Sequence, residues 1–182
     1  MLRTIALTIC ILFISTVSIA QSGPQLNRDP ATVKFVTSDI ENFWRAYDLA
    51  AKETDKVKRV AIFQTEYVDK GSPGLKDFLR LRIKSAENLV NTIDRMPKYY
   101  ASIRPQTLQV QRMEKRMRAA FVKFKSIYPA AVFPDVYFLI GVTNSGGTTG
   151  PSGLLIGTEM YGKTAKGPVD ELGAWLRAVL ST

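Results

Sequence analysis

The chain reads as an α+β fold: a mainly α-helical N-terminal region, an antiparallel β-hairpin, then a C-terminal helix. Three observations predict it. From Ser38 to Ile127, apolar residues recur at spacings of three and four, as one buried helix face requires. Val136, Phe138, Ile140 and Val142 then alternate with Tyr137 and Leu139, the two-residue period of a strand. A second apolar run, Leu154 to Met160, follows a polar glycine-rich loop, and two strands around one loop read as a hairpin because a parallel crossover needs more chain.

The first twenty residues read as a signal peptide. Arg3 is basic, Thr4 to Val17 form an apolar core, and Ser18-Ile19-Ala20 supplies small residues for cleavage after Ala20. Export to a periplasmic or secreted location follows as an expectation. Cys10 is the single cysteine, and Leu7-Thr8-Ile9-Cys10 is a poor lipoprotein signal because bulky Ile9 precedes it. Disulfides are therefore excluded from the mature chain. Residues 21–37 read as a flexible lead-in, and residues 38–182 as one α+β domain, incomplete at its C-terminus.

Ser38 and Glu41 have capping-box spacing, and Asp39 with Glu41 suits the positive end of a helix. Ile40, Phe43, Trp44, Tyr47 and Ala51 form that helix's apolar stripe. A second helix, Lys56 to Asp69, would bury Val57, Val60, Ala61, Ile62 and Tyr67 before Gly71-Ser72-Pro73-Gly74 stops it. Leu75, Phe78, Leu79 and Ile83 mark a third helix. Ser85 caps a fourth carrying Leu89, Val90 and Ile93. Tyr99-Tyr100 reads as a packed corner between helices. The longest helix runs from Gln106 to Ile127, with Val110, Met113, Met117, Ala120, Phe121 and Phe124 at helical spacing. Arg112, Lys115, Arg116, Arg118, Lys123 and Lys125 cover its remaining surface, a solvated face or an envelope-surface contact. After Gly167-Pro168, Leu172, Trp175, Leu176 and Val179 form the stripe of a last helix.

Length allows one domain with a real core, and a hydrophobic fraction of 46% is ordinary for a globular protein. The formal charge of +9 favours anionic partners, and for an exported chain these are envelope surfaces rather than nucleic acid. There is no histidine. Zinc sites draw on histidine and cysteine, so no metal ligands are expected and no cofactor is assigned to this chain. Ser145 as a nucleophile would lack a histidine base, so no catalytic residue is assigned. Gly157 to Thr164 fits G-x-x-x-x-G-K-[ST], yet Gly167-Pro168 would interrupt the helix a phosphate loop needs. Nucleotide binding is thus a weak alternative. The loop itself is equipped to bind, or is a plain glycine-rich connection: Asn144, Ser145, Thr148 and Thr149 offer donors and acceptors on backbone made permissive by Gly146 and Gly147, with Glu159 near the end of the second run.

Phe133-Pro134, Val136-Tyr137-Phe138, Ile140-Gly141, Asn144-Ser145-Gly146-Gly147-Thr148 and Gly153-Leu154-Leu155-Ile156-Gly157 followed by Glu159 form one block. This block resembles a stretch of the secreted and lipoprotein zinc-dependent proteases, a family of domains of unknown function distantly similar to gliding-motility lipoproteins. The resemblance covers about thirty residues. It implies a partial zincin-like domain, with substrate-cleft strands supplied by residues 136–160. It also implies zinc for a full-length relative, held by an H-E-x-x-H helix that this histidine-free chain lacks. The chain alone is then expected to be inactive. The other reading is a non-catalytic envelope protein that binds a peptide or an anionic surface. Neither reading names a substrate or an oligomeric state.

Overall fold

The computed structural model describes residues 27–162. The signal-peptide segment, the helix read at 169–180, and Lys163-Thr164 of the phosphate-loop pattern lie outside the described residues.

The fold is mixed α and β, with helices first and most of the sheet late in the chain. Strand β2, Val136–Leu139, is buried at every position. A strand apolar on both faces must be covered on both, and β2 lies between β1, Phe35–Val36, and β4, Gly153–Gly157. Strand β3, Thr148–Gly150, pairs with β4 at the other edge, giving the order β1-β2-β4-β3.

This topology corrects the expected antiparallel pairing of residues 136–142 with 154–160. β2 and β4 run parallel, with Val136 opposite Leu154 and Leu139 opposite Gly157. The short connection suffices because the loop itself contains a strand, β3. From β2 the chain passes over the place β4 will fill and descends as β3. It then turns at Pro151-Ser152, and β4 rises antiparallel to β3 and fills the gap. The hairpin exists, but it is β3–β4. Gly153, at φ +144°, serves that turn, since a Cβ there would lie 2.2 Å from the Asp135 carbonyl oxygen.

Residues 27–37 are not a flexible lead-in. Phe35 and Val36 pair parallel with Val136 and Tyr137, and Val33 is buried. Arg118 reaches back to donate to the carbonyls of Pro30, Ala31 and Val33, and its guanidinium lies 5.0 Å from the Phe35 ring centre. The segment is stitched down by backbone groups, which its polar composition does not reveal.

Helix α1, Ser38–Ala50, buries Ile40, Phe43 and Trp44 as its stripe requires, with Ala46 and Ala50 beside them. Ala51 is exposed. The capping box does not form: the cap is Thr37, and no side chain bonds the free amides. Asp39 is instead buried and accepts from the Ser72 amide and hydroxyl, tying α1 to the start of the third helix. Glu41 accepts from Gln111.

Helix α2, Lys56–Phe63, is capped by Asp55 and continues as a π-helical turn, Gln64–Val68, closed by the Asp69 amide on the Gln64 carbonyl. Phe63, Tyr67 and Val68 are its buried residues, whereas Val57 and Ala61 face solvent. Helix α3, Pro73–Phe78, is capped by Ser72 and likewise runs into a π turn, Leu79–Ile83. Ser85 caps α4, Ala86–Arg95, through the Asn88 amide.

The helix expected at 106–127 is in fact two helices. α5, Pro97–Leu108, starts earlier and contains Pro105, whose bond-less carbonyl partner, Ala101, is exposed to water. A tight 3₁₀ turn, Gln109–Met113, separates it from α6, Glu114–Ile127. The break divides two packing jobs. Before it, Thr107 takes a bond from the Trp44 indole at 2.9 Å; after it, Phe121 packs on Phe35 and Phe133.

Candidate functional site

Past Leu139, β2 stops pairing inside the core, and its backbone polar groups need partners. Two tyrosines from distant helices meet that need. The Tyr67 hydroxyl donates to the Ile140 carbonyl at 2.7 Å and accepts from the Ile140 amide at 3.0 Å. The Tyr100 hydroxyl donates to the Gly141 carbonyl at 2.8 Å. Both side chains are fully buried, and burial pushes both phenols above their ordinary range. Tyr99-Tyr100 is thus packed, as read, and also satisfies backbone: Tyr99 donates to the Glu159 carbonyl.

Beneath the loop lies Glu159, fully buried in the 3₁₀ turn Thr158–Tyr161. Its Oε1 accepts from the Thr143 amide at 3.2 Å. Burial raises its carboxyl to about 7; the amides of Gly141, Thr143 and Glu159 itself pull the other way. Thr143 stands at φ +58°, a costly position for a β-branched residue that persists only when its surroundings hold it. The floor is close-packed. A Cβ at Gly157 would lie 2.2 Å from the Ser145 carbonyl oxygen.

The loop's outer side is held by α3's π turn. The Asn144 side-chain amide donates to the Arg82 carbonyl at 3.1 Å, and Arg82 donates to the Thr148 hydroxyl at 3.2 Å. Tyr161 donates to the Gly146 carbonyl at 3.1 Å. Asp77 accepts from the Ser152 amide and hydroxyl, which hold its carboxyl below the usual range and fix the β3–β4 turn. Both π turns therefore end on this segment, one through Tyr67 and one through Arg82. Such turns are frequent at functional sites because they re-aim side chains. Among the described residues, the two buried side-chain polar atoms with no hydrogen-bond partner are Arg82 Nε and Glu159 Oε2. Both belong to the groups that hold this loop.

The residues singled out in the sequence are brought together, but they do not play one part. Asn144 and Gly147 are exposed, Gly146 and Thr148 half-buried, and Ser145 nearly closed off with its hydroxyl turned to the Gly147 carbonyl at 3.3 Å. Glu159 lies under the loop and acts on it from within. At the Gly157–Gly162 positions of the phosphate-loop pattern, the 3₁₀ turn presents this buried carboxylate rather than an open ring of amides.

Thr149, one polar residue of the loop in the sequence, takes a distinct part through its backbone. The Leu154 amide donates to the Asp135 carbonyl, on the β2 side. Leu154 is opposite Thr149 in the antiparallel pair, so that pair does not exchange hydrogen bonds. The Thr149 N–H and C=O consequently point out from the sheet edge, and the residue is exposed. Two β-branched residues between glycines, followed by Pro151-Ser152-Gly153, are the signal that marks β3.

Zinc does not fit this arrangement. The chain has no histidine, and among the described residues no group of three or more His, Cys, Asp or Glu is placed to hold a metal ion. A separate cleft of about 260 Å³, lined by Tyr47, Arg59, Phe63, Ile93 and Asp94 among others, shares no residue with the loop. Comparison with family models, curated proteins and solved structures finds no match to the chain.

Proposed function

We propose that this chain is an exported peptide-binding protein of the zinc-protease-like kind, which adds an extended peptide to the edge of β3 that is unpaired among the described residues. The outward-facing N–H and C=O of exposed Thr149 carry the reading. A strand edge binds by main-chain hydrogen bonds, with selectivity coming from pockets for alternate side chains. Here the neighbouring surface is the 143–148 loop, where Asn144 and Gly147 lie exposed beside the strand. Rigidity favours such a site, because a loop already ordered loses little entropy on binding. The loop's bonds to Tyr67, Arg82, Glu159 and Tyr161 supply that rigidity. Export rests on Arg3, the apolar run Thr4 to Val17, and Ser18-Ile19-Ala20. Kinship to zinc-dependent proteases rests on the 133–159 block. No hydrolytic step is assigned, since the donor set does not suit zinc.

The test is an amide-resolved titration of isotope-labelled protein with a pool of random-sequence heptapeptides. Shifts should concentrate on residues 147–150. Shifts confined to other elements, or none at millimolar peptide, would contradict the reading.

A further inference from the structure

From Lys115 to Pro134 the chain carries five cations and no acidic residue. The same stretch holds Val122, Phe124, Ile127, Tyr128 and Val132, five of the nine exposed large apolar residues among those described. Ile127 is 68% exposed and Tyr128 55%. They gather at the corner where α6 ends. This corner is fixed rather than loose: Arg28 donates to the Ala130 carbonyl at 2.9 Å, Lys125 to that of Pro129, and the Phe133 amide to Asn27 at 2.8 Å.

Two of the cations are occupied, Lys125 there and Arg118 on the carbonyls before β1. Lys115, Arg116 and Lys123 are exposed and, among the described residues, form no ion pair. Around the helix these cations alternate with Val122, Phe124 and Ile127 instead of segregating from them. A protein groove reads anchors along one stripe, at i, i+3, i+4 and i+7; here Phe124, Ile127 and Tyr128 begin such a stripe, but the helix ends at Ile127, and Val122 and Val132 lie off it. A fluid interface needs no register. It takes apolar side chains into the acyl boundary and meets the cations with anionic headgroups.

We infer that the α6 corner, Val122 to Val132 with Lys115, Arg116 and Lys123, docks the protein on an anionic lipid surface. The contact is independent of the peptide edge, which lies on β3.

The experiment uses the full chain and two vesicle compositions, pure phosphatidylcholine and phosphatidylcholine with phosphatidylglycerol. An environment-sensitive fluorophore on Ile127→Cys, in a Cys10→Ser background, reports this corner separately from any anchoring by residues 1–26. Emission should shift to the blue with the anionic vesicles and not with the neutral ones, and the shift should fade as salt rises. Replacing Lys115, Arg116 and Lys123 by Gln should weaken partitioning roughly fivefold per cation, about a hundredfold together. The circular-dichroism melt should stay unchanged. Equal response to both vesicle types, or an unchanged emission at position 127, would overturn the inference. So would binding of soluble polyglutamate as tight as that of anionic vesicles, which would point to an acidic polypeptide instead.

Discussion

The glycine-rich loop and helix α6 reverse the usual expectation of which segment is well anchored. Residues 140–148 have no repeating structure until β3, yet nearly every turn of backbone there is met by a side chain from elsewhere. Tyr67 and Tyr100 reach the backbone of Ile140 and Gly141, Glu159 that of Thr143 and Tyr161 that of Gly146, while Arg82 holds the Asn144 and Thr148 side chains. α6 is regular and satisfies its own backbone. However, it buries only Met117 fully and leaves Val122, Phe124 and Ile127 at the surface. Regularity and anchoring are therefore separate properties. A helix needs no outside partners for its amides, so its outer face is free for another role. A loop that ends inside the core needs a partner for each polar group, and it becomes the more rigid of the two.

That contrast breaks most sharply at Tyr67. Tyr67→Phe strands both the amide and the carbonyl of Ile140 in a buried site, at a cost of about 3–4 kcal/mol. Urea unfolding measures it, and a loss below about 1 kcal/mol would mean the hydroxyl is dispensable.

Next is the pH dependence set by Glu159. Its carboxyl rises from 4.5 to about 7 in the folded protein, so between those values the native state keeps a proton that the unfolded chain has lost. Stability from this group is complete below pH 4.5, falls as pH rises through that window, and levels off above about 7. The full effect is on the order of 3 kcal/mol. Tyr67 and Tyr100, which face it, stay neutral throughout because burial raises both. Asp39, also raised by burial, adds a contribution of the same sign at lower pH. Glu159→Gln should flatten the slope measured by denaturant unfolding from pH 4.5 to 8. Equal slopes in both proteins would assign the titration elsewhere.

Gly157→Ala sharpens the comparison at the loop's floor. Its Cβ would press on the Ser145 carbonyl, which is backbone and cannot rotate away. We expect about 1–3 kcal/mol of destabilisation, with hydrogen exchange quickening at 143–147. By contrast, Ile127→Gln and Lys123→Gln on α6 should change stability by no more than about 0.5 kcal/mol. Thermal melts of these variants check that the exposed helix face contributes little to folding.

Much of the helical region is legible in the sequence, because its signals are local. Ile40, Phe43 and Trp44 mark the buried face of α1, Leu75, Phe78 and Ile83 the third helix, and Ser85 caps α4 as read. β2 is legible too, as a run apolar on both faces. What escaped depends on partners far along the chain. Tyr67 looks like any helix aromatic until Ile140, 73 residues later, arrives beside it. β1 is two residues long and β3 three, too short for periodicity to register. Missing β3 was enough to reverse the inferred direction of β4 relative to β2. Of the candidate site, the loop residues and Glu159 are legible as neighbours along the chain, and the Thr143 amide on Glu159 brings them together in the fold. The hydroxyl of Thr149 is legible in the sequence, but its outward backbone is not, because that follows from strand register rather than from side-chain chemistry.

If a peptide pairs with the β3 edge, Thr149→Pro should abolish the pairing. Proline deletes the outward N–H while leaving intact every hydrogen bond β3 makes to β4, and an edge strand tolerates it at such a position. Heptapeptides selected on the wild-type protein by display should bind the variant at least about tenfold more weakly, with an unchanged melting temperature. Selected peptides that bind both proteins equally would show that the edge is not where they pair.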